Sequence, residues 1–564
     1  MPFLQRYKWL VLAGIGLILF VAASNLPVGK EKDGSALSIP HDRTISKSEA
    51  IQAASAWVKQ RLPSGAEPLA ETTVSFQANT RLSGYLQKNK LVARYADTFL
   101  FDYPVEYWQI ELRPSIGRTS AYILDLDMAS GRVVGWRMKA SELLDAPSSR
   151  REGQRIAENY LREYAGPSES YEYVQGPDGR NPSRYVFEVP DVKIGEAVLR
   201  YELEVKGREV TAYHTSFRVP ASHNAWLEKQ QAASGGMSRW SLILTGLMAL
   251  AAIYMLIRHR KITRFRKGLL LAAVFLGLYL MNNWNQMPAF LAMAFANMPD
   301  PFAGKAAATA FSILSGLLAV ALALMTYMSL AAGNAMWQAR GIRLWPKWSD
   351  ASFGQETLRS MGRGYSFGVL MLGLQALMLW IAQAGFGMWA VNDPSSSYYN
   401  FYVPALFPLM AWAAAISEEA IYRLFGIALF MRIFRDPVVA VFVPSLIWAF
   451  NHTLYPIYPV YTRLIEVTLL GLLFGYALWK HGFLTALFAH AVIDSVLMSL
   501  PLIGRESGAG QSALGIAYLA SPAVVGFAIW WLHKKLRRPI SETDSSSPPA
   551  DPPPGTVPPA LPPG

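Results

Sequence analysis

From Trp240 onward the chain returns again and again to apolar runs long enough to cross a bilayer, and no soluble core can hide so many. Nine such runs fall at about 240–257, 268–286, 306–333, 367–390, 402–431, 438–455, 461–479, 483–500 and 513–532. A spanning helix needs about 20 mostly apolar residues. Trp9 to Leu26 forms another such run near the start, preceded by Arg6 and Lys8. Charged residues make up only 16% of the chain, against an ordinary share of about 25%, and the shortage concentrates after residue 240. The expected fold is a polytopic α-helical membrane protein of about ten spans with an N-terminal extracytoplasmic α+β domain.

Charge sets the orientation. The net charge is +12, and much of the excess flanks the spans, at Arg258, Arg260, Lys261, Arg264, Arg266 and Lys267 and again at Lys534, Lys535, Arg537 and Arg538. Basic residues near span ends mark the cytoplasmic side. Arg340, Arg343, Lys347, Arg359, Arg363, Arg432, Arg435 and Lys480 alternate correctly with loops poor in Lys and Arg. Both termini then face inward and residues 27–238 face outward. Juxtamembrane charge accounts for the basic balance, so the partners are the lipid bilayer and not nucleic acid. The chain has no cysteine, which excludes disulfides, thiol nucleophiles and thiolate metal sites.

Five regions follow. Residues 1–26 are read as a retained transmembrane anchor rather than a cleaved signal peptide, because the apolar run approaches spanning length. Residues 27–238 have soluble composition and read as duplicated. Ser46-x-x-Glu49 and Ser149-x-x-Glu152 are capping boxes that open amphipathic helices at 46–60 and 149–164. Alternating strands follow each helix, including 107–112 and 121–138 after the first, and 185–189 and 198–219 after the second, with turns at Ser130-Gly131 and Lys206-Gly207. This pattern resembles tandem PepSY-like modules of exported bacterial proteins, which implies a bacterial cytoplasmic membrane. Residues 239–364 hold additional spans and a cytoplasmic loop, and residues 365–535 hold the chemistry. Residues 536–564, rich in Pro and Ser, are expected to be disordered.

Two adjacent acids, Glu418 and Glu419, lie inside the run 402–431, where a carboxylate near the bilayer centre costs at least about 2.5 kcal/mol. Glu419 and Arg423 are four apart and can pair on one helix face, a structural role. Glu418 is turned away by about 100° and is free to face a cavity. His452 and His490 are the histidines that fall well inside predicted spans, and Asp494 shares a helix face with His490. Residues on three spans can converge on one polar pocket in a bundle. A glutamate and a histidine can activate water or bind a divalent metal that does so. A second histidine with a neighbouring acid can hold an oxyanion. Glu466 with Arg463, and the belt of Tyr455, Tyr458 and Tyr461, have simpler interfacial readings.

The succession of Glu418-Glu419-x-x-x-Arg423, Trp448-x-x-x-His452 and His490-x-x-x-Asp494 resembles the CPBP intramembrane proteases, or Abi family, which include the type II CAAX prenyl endopeptidases. The resemblance covers about residues 365–532. It implies an endopeptidase acting on a membrane-anchored peptide or protein. Glu418 and His452 would activate the attacking water, and His490 and Asp494 would stabilise the oxyanion. One divalent metal, zinc, is the sole cofactor candidate, with Glu418, His452, His490 and Asp494 as its ligands. Two positions depart from the family pattern. Trp448 replaces the usual Phe, read as a packing change, and Asp494 stands where prenyl endopeptidases usually carry Asn, which leans towards a metal-assisted site. The same side chains could instead serve a proton-coupled transporter, although no inverted repeat is evident after residue 240, or a non-proteolytic scaffold or immunity protein.

Overall fold

A computed structural model of the chain describes residues 2–26, 37, 44–61, 69–115, 119–140, 149–164, 170–177, 182–297, 301–395, 397–503 and 508–536. The Pro-rich tail lies outside the described residues.

The N-terminal helix α1 (Pro2–Asn25) precedes a sheet domain. Its first half is helix α2 (Lys47–Arg61), strand β1 (Leu69–Ala78), helices α3 (Thr80–Lys88) and α4 (Val92–Thr98), then β2 (Glu106–Pro114), β3 (Thr119–Asp127) and β4 (Val133–Ala140). Its second half is helix α5 (Arg150–Tyr164) followed by β5 (Glu172–Gln175), β6 (Arg184–Ile194), β7 (Ala197–Lys206) and β8 (Glu209–Arg218). The capping boxes form locally. Ser46 N–H donates to Glu49 Oε2 at 2.7 Å while Glu49 N–H donates to Ser46 Oγ at 3.2 Å. Glu152 N–H donates to Ser149 Oγ at 3.2 Å. The two halves do not form separate sheets. Pairing of β4 with β8 joins them into one antiparallel sheet of order β1-β2-β3-β4-β8-β7-β6-β5. Alternation is clear on β7, where Ala197, Leu199, Tyr201, Leu203 and Val205 are buried.

The helical part begins with α6 (Ala221–Arg258). At 38 residues it is roughly 57 Å long, so the boundary expected near residue 238 falls in the middle of an unbroken helix. Then come α7 (Leu269–Asn285), α8 (Met287–Asn297), α9 (Pro301–Gln338) and α10 (Phe353–Phe386). Helix α8 occupies a stretch that the sequence reading took as loop. The run 402–431 is not the single helix expected. It consists of a short 3-10 turn at Pro404–Leu409, helix α11 (Met410–Glu418), a π-helix at Glu419–Ile427 and helix α12 (Ala428–Phe434). Pro404 and Pro408 lack the N–H donors that an α-helix would use there. Helices α13 (Pro437–His452), α14 (Val460–His481), α15 (Phe483–Ser499) and α16 (Gly508–Leu536) complete the bundle.

Seven described helices are long and apolar enough to cross a membrane, and α7 and α13 are shorter apolar helices. The chain is a polytopic membrane protein. Glycines let two helices close in: a Cβ at Gly16 of α1 would sit 2.3 Å from the Val369 carbonyl of α10, and one at Gly373 would sit 2.1 Å from the Gly16 carbonyl. This is small-residue packing of the kind that brings membrane helices together.

The sheet domain is seated on the loops at one end of the bundle. β1 is an outer strand, and Asn400 pairs with it as a further residue of sheet would. Phe76 N–H donates to Asn400 Oδ1 at 2.7 Å, and Asn400 Nδ2 donates to the Phe76 carbonyl at 3.0 Å. Tyr399 stacks on Phe76 at 5.3 Å. Three residues on, Asn285 of α7 grips Val403 in the same way, at 2.7 and 3.0 Å. β9 (Trp389–Ala390) and β10 (Ile457–Tyr458) pair as a small ribbon against the sheet domain, and Gln87 Nε2 donates to the Ala390 carbonyl at 2.8 Å.

Candidate active site

Glu418 closes α11 and Glu419 opens the π-helix, so the wider turn of the backbone falls at the paired acids. π-helical turns inside α-helices are frequent at functional sites. Both glutamates converge on one imidazole contributed by α15. His490 Nδ1 lies 2.8 Å from Glu419 Oε1. His490 Nε2 lies 3.3 Å from Asp494 Oδ2 and 3.7 Å from Glu418 Oε2. Acceptors on both sides can each receive a proton only from a doubly protonated ring; a neutral ring can serve one of them. Phe474 of α14 stacks against the His490 ring at 4.6 Å and 19°, which fixes its plane.

Arg423 is buried beside this cluster. Its Nη1 is 3.4 Å from Glu419 Oε1, the pair expected from the four-residue spacing. Its guanidinium also lies over Trp448 at 4.0 Å and Phe474 at 5.1 Å. Cation–π contact with two rings offsets part of the cost of a buried charge. Glu419 therefore has two partners, Arg423 and His490, where the sequence reading gave it one.

Trp448 of α13 does more than pack. Its indole Nε1 donates to Glu418 Oε2 at 2.5 Å, which leaves Oε1 as the carboxylate's second oxygen. A phenylalanine could not make this bond. The Trp448 ring is 4.7 Å from that of His452, so it lies beside both residues. His452 Nδ1 is 3.0 Å from the Trp448 carbonyl. A carbonyl only accepts, so Nδ1 carries the hydrogen and the lone pair of a neutral ring sits on Nε2. Among the described residues no hydrogen bond or ion pair joins His452 directly to Glu418, His490 or Asp494. The structure thus gathers Glu418, Glu419 and Asp494 around His490, with His452 next to them across Trp448. The side chain of Glu418 is 23% exposed and that of Asp494 20%, whereas Glu419 is 0% exposed. Glu418 and Asp494 are thus the two partly exposed carboxylates of the cluster.

The four candidate metal ligands do not fit a metal centre as they are arranged. His490 Nδ1 faces Glu419, and Glu418 Oε2 is held by an indole N–H. Among the described residues no group of three or more His, Asp or Glu side chains converges as a ligand set.

Away from this cluster, Arg463 Nη1 donates to both Glu466 oxygens, at 2.8 and 2.7 Å, and Gln375 Nε2 donates to Glu466 Oε1 at 2.8 Å. Arg463 and Glu466 therefore form an ion pair with each other.

Every residue of this cluster lies in one segment that compares with known proteins. Residues 400–496 match the Rce1-like family of type II CAAX prenyl endopeptidases. The Rce1-like segment runs from the Asn400 clamp through Glu418, Glu419, Arg423, Trp448, His452 and His490 to just beyond Asp494. The sporulation-killing factor biosynthesis protein SkfC of Bacillus subtilis (strain 168) is 30% identical over 93 residues, 16% of this chain. The chain spans about a fifth (19%) of the length of that relative. No solved structure matches the chain. The sheet domain and the helices before residue 400 lie outside the Rce1-like match.

Proposed function

We propose that the chain is an intramembrane endopeptidase that hydrolyses a peptide bond of a membrane-anchored substrate, using Glu418 and His452 to activate water. The observation that carries this reading is the meeting of Glu418, His490 and Asp494 within an apolar bundle, inside the segment that matches a family of endopeptidases. Intramembrane acids and histidines are costly and are kept for function.

In this mechanism Glu418 Oε1 accepts a proton from a water molecule as that water attacks the scissile carbonyl. Trp448 holds the other oxygen and so aims the carboxylate. His452 Nε2 offers a second lone pair for the same water. His490 donates from Nδ1 to Glu419, which orients the ring, and its single Nε2–H, resting towards Asp494, turns to the oxyanion that forms on the carbonyl oxygen. Collapse of the tetrahedral intermediate breaks the C–N bond, and the proton held by Glu418 passes to the leaving amine. We place residues 27–238 on the outer side of a bacterial cytoplasmic membrane, a reading supported by the alternation of basic loops.

The test is hydrolysis of single-span reporter peptides in proteoliposomes by the wild type and by Glu418→Gln, His452→Ala and His490→Ala. Loss of cleavage in all three supports the proposal. Full cleavage by Glu418→Gln would sink it.

A further inference from the structure

The two halves of the sheet domain separate at one end of their seam. β4 pairs with β8 only through Trp136↔Tyr213 and Arg137↔Ala212, although β8 continues to Arg218. Where the strands part, a small cleft of about 30 Å³ opens, with Tyr95, Tyr103, Tyr107 and Phe217 among its walls and Asp125 and His214 among its polar groups. A space of that size accepts a group about as large as a water molecule, which is the size of an ammonium head.

Asp125 is the unusual member. Its Oδ1 accepts from Gln109 Nε2 at 2.9 Å. Its Oδ2 faces His214 Nδ1 at 3.8 Å, beyond hydrogen-bond reach. Among the described residues no donor bonds Oδ2. The side chain is 14% exposed, and it lines the cleft. Gly135, opposite Asp125 in the β3–β4 register, keeps this oxygen clear: a Cβ there would lie 3.2 Å from Asp125 Oδ2 and 3.3 Å from His214 Nδ1. Burial pushes the Asp125 carboxyl above the usual range, against His214, Gln109 and Arg137, which act the other way. Burial and then the charge of Asp125 push the Tyr107 hydroxyl up as well, so Tyr107 stays neutral. Burial is the largest cause of both shifts.

We propose that this cleft binds a primary ammonium group, with Asp125 Oδ2 as its counter-ion and the tyrosines as its aromatic wall. A charge-assisted hydrogen bond to the carboxylate and cation–π contact with the rings are the two interactions such a group gains here. An anion would meet Asp125 directly. A divalent cation would find one carboxylate, and no three-ligand group exists among the described residues. A lysine side chain and a polypeptide amino terminus share the ammonium chemistry. The proposal is independent of the peptidase reading and would hold for a chain without hydrolytic activity.

Calorimetry on the full-length protein in detergent tests it with two matched pairs of probes. Nα-acetyl-lysine amide is compared with Nα-acetyl-norleucine amide, and glycinamide with N-acetylglycinamide. At least one ammonium probe should bind at least ten-fold more tightly than its uncharged counterpart, and which pair responds separates a lysine side chain from an amino terminus. Asp125→Asn should weaken that probe ten-fold or more. Gly135→Ala, which sets a methyl against Oδ2, should weaken it too and serves as the second test if Asp125→Asn does not fold. Equal binding of charged and uncharged probes, undiminished binding by Asp125→Asn and Gly135→Ala, or no binding of either ammonium probe up to millimolar concentration would overturn the proposal.

Discussion

The indole nitrogen of Trp448 donates a 2.5 Å hydrogen bond to Oε2 of Glu418, from one helix to the end of another. The bond holds one oxygen of the most exposed carboxylate in the cluster and leaves the other as an acceptor. Hydrogen bonds to charged groups contribute about 1.5–3 kcal/mol, and about 1.4 kcal/mol is ten-fold in rate. Trp448→Phe keeps a ring against His452 and removes only the donor. Its kcat should fall by about 10- to 100-fold with little change in thermal stability. An unchanged kcat would show that Glu418 is aimed by something else.

The two adjacent glutamates should separate by phenotype. Glu418→Gln should abolish peptide cleavage while the protein melts as the wild type does. Glu419 is fully buried between His490 and Arg423, and breaking a buried pair costs about 3–5 kcal/mol. Glu419→Gln should therefore lower the melting temperature sharply. Melting curves and cleavage rates on the same preparations check both, and the reverse pattern would reverse the assignment.

Asn400 can be tested without touching the catalytic cluster. Replacement by Ala leaves the Phe76 N–H and carbonyl without their partner, at about 1–3 kcal/mol for each buried group. Hydrogen exchange at Phe76 should accelerate at least ten-fold in Asn400→Ala, and limited proteolysis should cut nearer β1. Unaltered exchange would mean that Tyr399 stacking alone holds the two parts together.

Lys267, in the turn before α7, donates to the Trp345 carbonyl at 2.8 Å and to Asn334 Oδ1 at 3.1 Å. Burial, helped by Arg264, Lys347 and Arg343 and opposed by Asp350, draws its pKa down to about 7. An unfolded lysine titrates near 10.4, so between about pH 7 and 10 the unfolded chain binds the extra proton. Stability should rise with pH across that window. Melting temperatures measured from pH 7 to 9.5 should climb in the wild type and climb less in Lys267→Met. Equal slopes would show that Lys267 does not titrate as described.

Local rules made much of this molecule legible in its sequence. The capping boxes at Ser46 and Ser149 need only four residues each, and both form. The helices from α13 to α16 begin and end within a few residues of the apolar runs that announced them. Pairings between distant residues were not legible, because no short-range pattern encodes them. His490 Nδ1 meets Glu419 across 71 positions, and Asn400 meets Phe76 across 324. The π-helix at 419–427 escaped for a related reason: its residues carry ordinary helical propensity, and the widened turn follows from what the side chains pack against. Trp448 could have been read better, since a tryptophan in an apolar span carries one N–H that needs an acceptor, and Glu418 is the nearest acid on another helix.

Strand β1 runs along the rim of an eight-stranded sheet, and the chain guards that rim with a residue borrowed from 324 positions away. A fragment stopping after β8 would keep all eight strands and lose its guard. Bare strand rims recruit other strands, so such a fragment should assemble with copies of itself in solution more readily than the intact chain does.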